Sequence, residues 1–181
     1  MDAADRVRVL VGEPATRGRH PSVVGQLEAA TAKLAAVGCP AQDSVEVLCK
    51  LMSRQLGSDF QPGPSMTMLD LHASGQVDIA RRVSPPVLFL GAHESPGAVC
   101  RAATTGVEAG PVRSEGGDYL VAFSPLAVRL FSSEALANVP RLLAGAPTPC
   151  EVRNALLDSV DGRGQDPYRT APPLAVVRRE G

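Results

Sequence analysis

Apolar and polar side chains alternate at the start of the chain. Val7, Val9 and Val11 fall between Arg6, Arg8 and Leu10, the two-residue period of a strand. The period then changes. Val23, Val24, Leu27, Ala30, Thr31 and Leu34 recur at helical spacing, opened by Pro21-Ser22 and followed by Gly38 as a left-handed cap. A second helix is predicted from Asp43, an N-cap with Glu46 three residues on; Val47, Leu48, Leu51, Met52 and Leu56 form its apolar stripe, and Gly57 ends it. After a Pro/Gly/Ser loop, Met66 to His72 and Gln76 to Val83 read as a hairpin around Ala73-Ser74-Gly75. Pro86 to Leu90 is a continuously apolar, buried strand, and Gly91 to Pro111 is irregular or weakly β. Glu115-Gly116-Gly117-Asp118 is a turn before the strand Tyr119 to Ser124. Two helices follow, one over about Ser133 to Leu143 with Pro140 inside it. The other opens at Thr148-Pro149-Cys150-Glu151, a capping box with Pro in the first helical position, and buries Leu156, Leu157 and Val160. Leu174 to Val177 is the closing strand.

This order is strand, two helices, a block of strands, two helices, strand. Amphipathic helices need a sheet to cover, so a mainly antiparallel sheet layer with helices outside is expected. The pattern holds no repeat and no linker, and 181 residues suit one domain over 1–181 with a core at 6–179.

Composition narrows the class. With 44% hydrophobic and 20% charged residues the chain can bury a core, built from Val, Leu and Ala because aromatics are 3% and Trp is absent. A net charge of −1 gives no basic field for nucleic acid or an anionic membrane. Arg81-Arg82 and Arg178-Arg179 are pairs, read as solvated surface. Cys39, Cys49, Cys100 and Cys150 are far apart and form no C-x-x-C, so buried or half-buried free thiols are expected rather than zinc or disulfides. No secretion signal is visible and no apolar run could span a bilayer, which makes a cytoplasmic location the expectation.

Residues 6 to 18 read RVRVLVGEPATRG. They resemble the metal-binding turn of the SpoIIE-type PPM protein phosphatases: strand, Gly-Asp-x-x-Gly-His-Gly, helix. Gly12 and Gly18 match, whereas Glu13, Thr16 and Arg17 replace the Asp, the Gly and the His. Three further stretches resemble the same family in order. In MTMLDLHASGQVDIARRVSPPVLFL, Val83-Ser84-Pro85-Pro86 stands where Gly-His-Pro-Pro is usual. GGDYLVAFSP is similar to the segment leading into Thr-Asp-Gly, and LLDSVDGRGQDPYRTAPPLAVVRR to the last helix, Asp-Asp and closing strand. The resemblance runs from Arg6 onward. It implies an α+β fold, the αββα sandwich of two antiparallel sheets flanked by helices, with the first strand missing.

The resemblance also implies a chemistry and its loss. Family members hold two Mg²⁺ or Mn²⁺ ions on Asp carboxylates and waters, generating a hydroxide that attacks phosphoserine or phosphothreonine. Here only Met1 to Asp5 precede the first turn, so the upstream ligand is absent; Glu13 is one methylene longer than Asp; Ser124-Pro125 stands at Thr-Asp-Gly; and the last position is Asp166. Glu13 and Asp166 are thus relic ligand candidates, and Thr16, Arg17, Gly18, Ser124 and Pro125 are degenerate site positions. No metal cofactor and no catalytic residue is expected. The implied role is an inactive regulatory or binding protein in bacterial signalling of the sigma-factor partner-switching type, with a protein partner such as a phosphorylated anti-anti-sigma-like regulator. The alternative is an active or residual Mg²⁺- or Mn²⁺-dependent phosphatase using Glu13 and Asp166.

Plainer readings stand beside these. A carboxylate such as Glu13 suits any helix N-terminus. Asp166 and Asp118 read as turn residues. His20, His72 and His93 have no ligand spacing, and Met66 and Met68 mark one face of a strand. If the first strand is missing, Val7 to Val11 is an uncovered edge, which favours a homodimer or a strand-donating partner.

Overall fold

A computed structural model describes residues 6–13, 21–56, 65–83, 87–90, 97–98, 108–125, 127, 148–158 and 174–180. These divide between two units: Met1–Ser84 with Ala102–Arg113, and Pro85–Arg101 with Ser114–Gly181. In the first unit, β1 (Arg6–Glu13), β2 (Ser65–His72), β3 (Gln76–Arg82) and β6 (Glu108–Arg113) form an antiparallel sheet in the order β1-β2-β3-β6. Its helices are α1 (Pro21–Ala36) and α2 (Ala41–Leu56). In the second, β4 (Leu88–Leu90), β5 (Gly97–Ala98), β7 (Tyr119–Phe123) and β8 (Leu174–Arg178) form an antiparallel sheet in the order β5-β4-β7-β8, joined by α3 (Pro149–Asp158). The segment expected to be irregular or weakly β thus contributes a full strand, β6, to the first sheet. The helix expected near Ser133 to Leu143 lies outside the described residues.

Local chemistry explains the boundaries. After α1, Gly38 adopts φ 69°; Cys39 N–H donates to the Leu34 carbonyl at 2.9 Å and Gly38 N–H to that of Ala35 at 3.0 Å. This is the Schellman arrangement, which satisfies the carbonyls a helix leaves unpaired. The start of α2 differs from the expected Asp43 cap. Ser44 N–H already donates to the Pro40 carbonyl, so the helix begins at Ala41 and Asp43 sits exposed in its first turn. Burial of Ala41 at the sheet draws the helix back two residues. The same rotation shifts the stripe: Ala41, Val45, Leu48, Cys49 and Met52 are buried, whereas Val47 is exposed and Leu51 half-buried. At α3 the Thr148 cap forms as expected, with Glu151 meeting the Thr148 hydroxyl rather than its backbone N–H. Glu151 N–H donates to Thr148 Oγ1 at 3.3 Å, and that hydroxyl donates to Glu151 Oε2 at 2.8 Å. Val152 and Leu156 are its buried positions; Leu157 is half-buried and Val160 lies outside the described residues.

The core of the first unit joins α2 to the central strands. Met66, Met68 and Ala80 pack with Ala41, Val45, Leu48, Cys49 and Met52, and Leu10, Leu27, Ala30 and Leu34 border them. Each large side chain removed from water contributes about 1.5–3 kcal/mol. Burial pushes the Cys49 thiol up, with the Arg82 guanidinium beside it pulling the other way. Cys39 is half-buried but Cys150 is exposed, a departure from the expected burial, because it lies in the first turn of α3 on the side away from Val152. The opposite face of β2 and β3 is also buried, through Thr67, Leu69, Val77 and Ile79. Arg81 shares that face and is 2% exposed, so the expectation of a solvated arginine pair fails there. Arg81 alternates in phase with Val77 and Ile79, so it is carried to the face that those residues bury.

One polar network crosses the apolar face. Arg8 meets Asp70 in a fork, Nε to Oδ1 and Nη2 to Oδ2, both at 2.6 Å, with side chains 4% and 1% exposed. Arg8 also donates to Ser44 Oγ (2.9 Å) and the Cys39 carbonyl (2.6 Å). Arg6 donates to Asp70 Oδ2 (3.2 Å) and the Ala35 carbonyl (3.1 Å). Two strands, the end of α1, the connection and the first turn of α2 are thereby tied at one carboxylate. Removing one partner leaves a buried charge, at a cost of about 3–5 kcal/mol. We expect Asp70→Ala to lose about that much in urea unfolding, and the double variant Arg8→Met/Asp70→Leu to lose less than either single truncation. A double variant as unstable as the singles would show that packing, not charge, dominates.

Candidate functional site

The positions singled out in the sequence are reached from the ends of β1 and β7. Glu13 is the last residue of β1 and pairs in register with Ser65 of β2. Gly12 before it has ordinary room: an added Cβ would lie 3.5 Å from the Ser65 carbonyl oxygen and 3.6 Å from Met66 Cγ. Thr16, Arg17, Gly18 and Asp166 lie outside the described residues, as do His20 and His93. Ser65 is buried, and its hydroxyl has no hydrogen-bond partner.

Ser124 and Pro125 follow β7 and are engaged in local structure. Ser124 is 1% exposed, and its Oγ accepts from Ala127 N–H at 3.1 Å. Pro125 occupies the first helical position after that cap. A Ser N-cap with Pro next is a stable way to turn a strand into a helical turn. It also uses the one side-chain oxygen at this position, and the pyrrolidine ring offers no donor atom to a metal. Two dications need several oxygen ligands, and this pair does not fit that requirement. Among the described residues no three His, Cys, Asp or Glu side chains converge as a metal site.

Asp118 acts as the turn former expected of it. Its Oδ2 accepts from Glu115 N–H at 2.6 Å, and Gly117 supplies the positive φ of 93°. The turn is held against β8: Gly117 N–H donates to the Arg179 carbonyl, Arg179 N–H to the Asp118 carbonyl, and Arg179 Nη1 to the Ser114 carbonyl. Arg178 lies over the Tyr119 ring, 5.5 Å from its centroid.

The hairpin adds a polar group that sequence reasoning missed. His72 Nε2 and Asp78 Oδ2 are 2.9 Å apart, and Gln76 Nε2 donates to Asp78 Oδ1 at 2.6 Å. The signal was present: the hairpin register pairs Asp78 with Asp70, two residues from His72, which makes His72 and Asp78 diagonal neighbours on one face. A groove of about 470 Å³ lies beside it, lined by Ser74, Gln76, Pro111, Val112 and Arg113. One guanidinium, a hydroxyl and an amide over an apolar floor suit contact with an acidic peptide segment.

Val83, at the end of β3, has φ 50°. A β-branched residue there pays about 1–2 kcal/mol for the left-handed conformation. This is the position where the resembled motif carries Gly.

These features define a fold: two four-stranded antiparallel sheets with flanking helices, the α+β fold of the PPM-type protein phosphatases. No family model matches the sequence, and no curated protein is similar to it at a significant level. Solved structures do match. The PP2C phosphatase domain of the cell fate determinant SpoIIE from Bacillus subtilis, solved with a fragment of its regulatory domain, superposes with a TM-score of 0.70 at 14% identity over 99% of this chain and 57% of that one. The RsbU and RsbW domains of Rv1364c from Mycobacterium tuberculosis give a TM-score of 0.69 at 18% identity over 97% and 52%. The serine/threonine phosphatase of S. agalactiae gives 0.62 at 12% identity over 97% and 87%. At these identities the likeness is one of fold. The chain spans about half the length of the first two structures.

We expect Val83→Gly to be tolerated, with unfolding free energy unchanged or raised by up to about 1 kcal/mol, because relief of the left-handed strain offsets the added freedom of the unfolded chain. A loss above that amount in urea unfolding would mean that the Val83 side chain contributes more by packing than its backbone costs.

Proposed function

We propose that this PPM-fold domain acts by binding a protein partner, without two-metal hydrolysis, in signalling of the sigma-factor partner-switching kind. The observation that supports this most is Ser124-Pro125. At the position the resemblance assigns to a ligand Asp, the hydroxyl caps a helical turn and the next residue is a proline. Glu13 in place of Asp points the same way. The kind of partner follows from the neighbours in fold: SpoIIE is a cell fate determinant, and Rv1364c carries an RsbU and an RsbW domain together. A phosphorylated anti-anti-sigma-like regulator, held without turnover, is the partner that fits. Such a regulator is anionic where it is phosphorylated, and the groove beside Arg113 offers it a cation and hydrogen-bond donors.

Calorimetry with millimolar Mn²⁺ and hydrolysis of p-nitrophenyl phosphate or a phosphoserine peptide test the reading. We expect neither metal uptake nor turnover, and we expect a phosphorylated anti-anti-sigma-type protein to bind in the presence of EDTA. Pro125→Asp alone is expected to remain inactive, since one carboxylate leaves two dications uncompensated. Mn²⁺-dependent turnover that disappears in Glu13→Ala or Asp166→Ala would replace this reading with a metal-dependent phosphatase.

A further inference from the structure

We propose that the groove at the end of the β2–β3 hairpin reads phosphorylation, holding the phosphoryl group of a phosphoserine or phosphothreonine segment on Arg113 and discriminating against the unmodified segment. The proposal rests on the partner-binding reading above and names where the partner's phosphate is held. The starting point is an arginine left open although a carboxylate is within reach. Gln76 of β3 pairs in register with Arg113 of β6, and Asp78 pairs with Pro111, so Asp78 and Arg113 are diagonal neighbours on one face. Long side chains in that relation can meet. Here they do not: among the described residues Arg113 makes no hydrogen bond and no ion pair. Both oxygens of Asp78 are engaged by other groups. Oδ1 accepts from Gln76 Nε2 at 2.6 Å, and Oδ2 lies 2.9 Å from His72 Nε2. His72 and Gln76 are therefore positioning residues. They hold Asp78 to themselves and leave the exposed guanidinium to a ligand.

The rest of the lining fixes the chemistry of the occupant. Ser74 Oγ accepts from Gln76 N–H at 3.4 Å, which leaves its own proton to donate. The Gln76 side-chain amide keeps a second N–H beside the one given to Asp78. Guanidinium, hydroxyl and amide are all donors, and a phosphate monoester offers three strong acceptor oxygens and close to two negative charges. An aspartate or glutamate side chain brings less charge and one oxygen fewer, and an unmodified serine brings no charge. Pro111 and Val112 give the residues beside the phosphate an apolar wall, in a groove of about 470 Å³. An arginine open to water binds weakly, so an isolated segment is expected to dissociate at about 0.1–1 mM.

Amide chemical shifts of the isotopically labelled full chain, titrated in EDTA at low salt with acetyl-Gly-Val-phosphoserine-Val-Gly-amide, read this directly. We expect shifts centred on residues 74–76 and 111–113. The unphosphorylated peptide should bind at least about tenfold more weakly, and Arg113→Gln, at an exposed position, should remove the difference. His72→Leu should weaken phosphopeptide binding about fivefold by releasing Asp78 toward Arg113, and His72→Leu/Asp78→Asn should restore it to within about twofold. A merely structural role of His72 would not be rescued by the second substitution. Equal affinity for the two peptides, shifts centred elsewhere, or binding indifferent to Arg113→Gln would overturn the proposal. A double variant no tighter than His72→Leu would overturn the positioning role. A phosphorylated anti-anti-sigma-type protein provides the second arm. If it binds wild type and Arg113→Gln equally, the groove is not the phosphate site and the partner reading stands. If it fails to bind wild type while the phosphopeptide still shifts the groove, the partner reading fails and the phosphate site stands.

Discussion

The contact between Arg8 and Asp70 is the constraint on which the first unit rests. Asp70 lies on a central strand and on its apolar face, two residues from Met68, where a bare carboxylate is not sustainable. The guanidinium that neutralises it comes from the edge strand. It can do so in one register only, because a slip of one residue would turn Arg8 to the other face. The same guanidinium reaches the Cys39 carbonyl and the Ser44 hydroxyl, and Arg6 reaches Ala35. Strand register and helix placement are thus set by the same few atoms. The edge strand, which hydrogen-bonds to β2 alone among the described residues, is held by charge on its inner side.

Much of this architecture was legible in the sequence, because periodicity and end signals are local. The 66–82 hairpin, the Gly38 cap, the Thr148 cap and the closing strand all depend on residues within a few positions of one another. What was not legible depends on partners far along the chain. Arg81 reads as half of a surface pair until the burial of its whole strand face, with Val77 and Ile79, is known. Asp43 reads as a cap until the packing of Ala41 is known. Arg8 and Asp70 are 62 positions apart. Asp70 left a trace, since a carboxylate on the Met66-Met68 face must be satisfied somewhere; Arg8 did not, because it reads as the polar side of a strand whose Val7 in fact stands 63% exposed. At the candidate site, Ser124-Pro125 was legible as a departure from the family motif. Its positive role as a turn cap was not, since that depends on where the next helical turn begins.

Fold and side-chain chemistry answer to different constraints. Val83 takes a left-handed conformation where the related motif has glycine, and the strand after the Gly117 turn still ends in a sharp change of direction at Ser124. Sheet geometry is fixed by hydrogen bonds and burial spread over many residues, whereas metal binding depends on a few carboxylates. A shared fold at low identity therefore carries no chemistry by itself.

The connectivity of the two sheets bears on how the chain is made. The first sheet takes its first three strands in sequence, but its fourth, β6, arrives only after β4 and β5 of the other sheet have been synthesised. The second sheet is completed by β8, at the very end of the described chain. Neither sheet corresponds to a continuous stretch: the first can close only once 108–113 have emerged, and the second only once 174–178 have. A nascent chain that has emerged through β5 presents β3 with a bare edge. Protection of that edge until residues 108–113 emerge falls to whatever receives the chain at the tunnel mouth, and for such an interleaved protein the pace of translation becomes part of its folding chemistry.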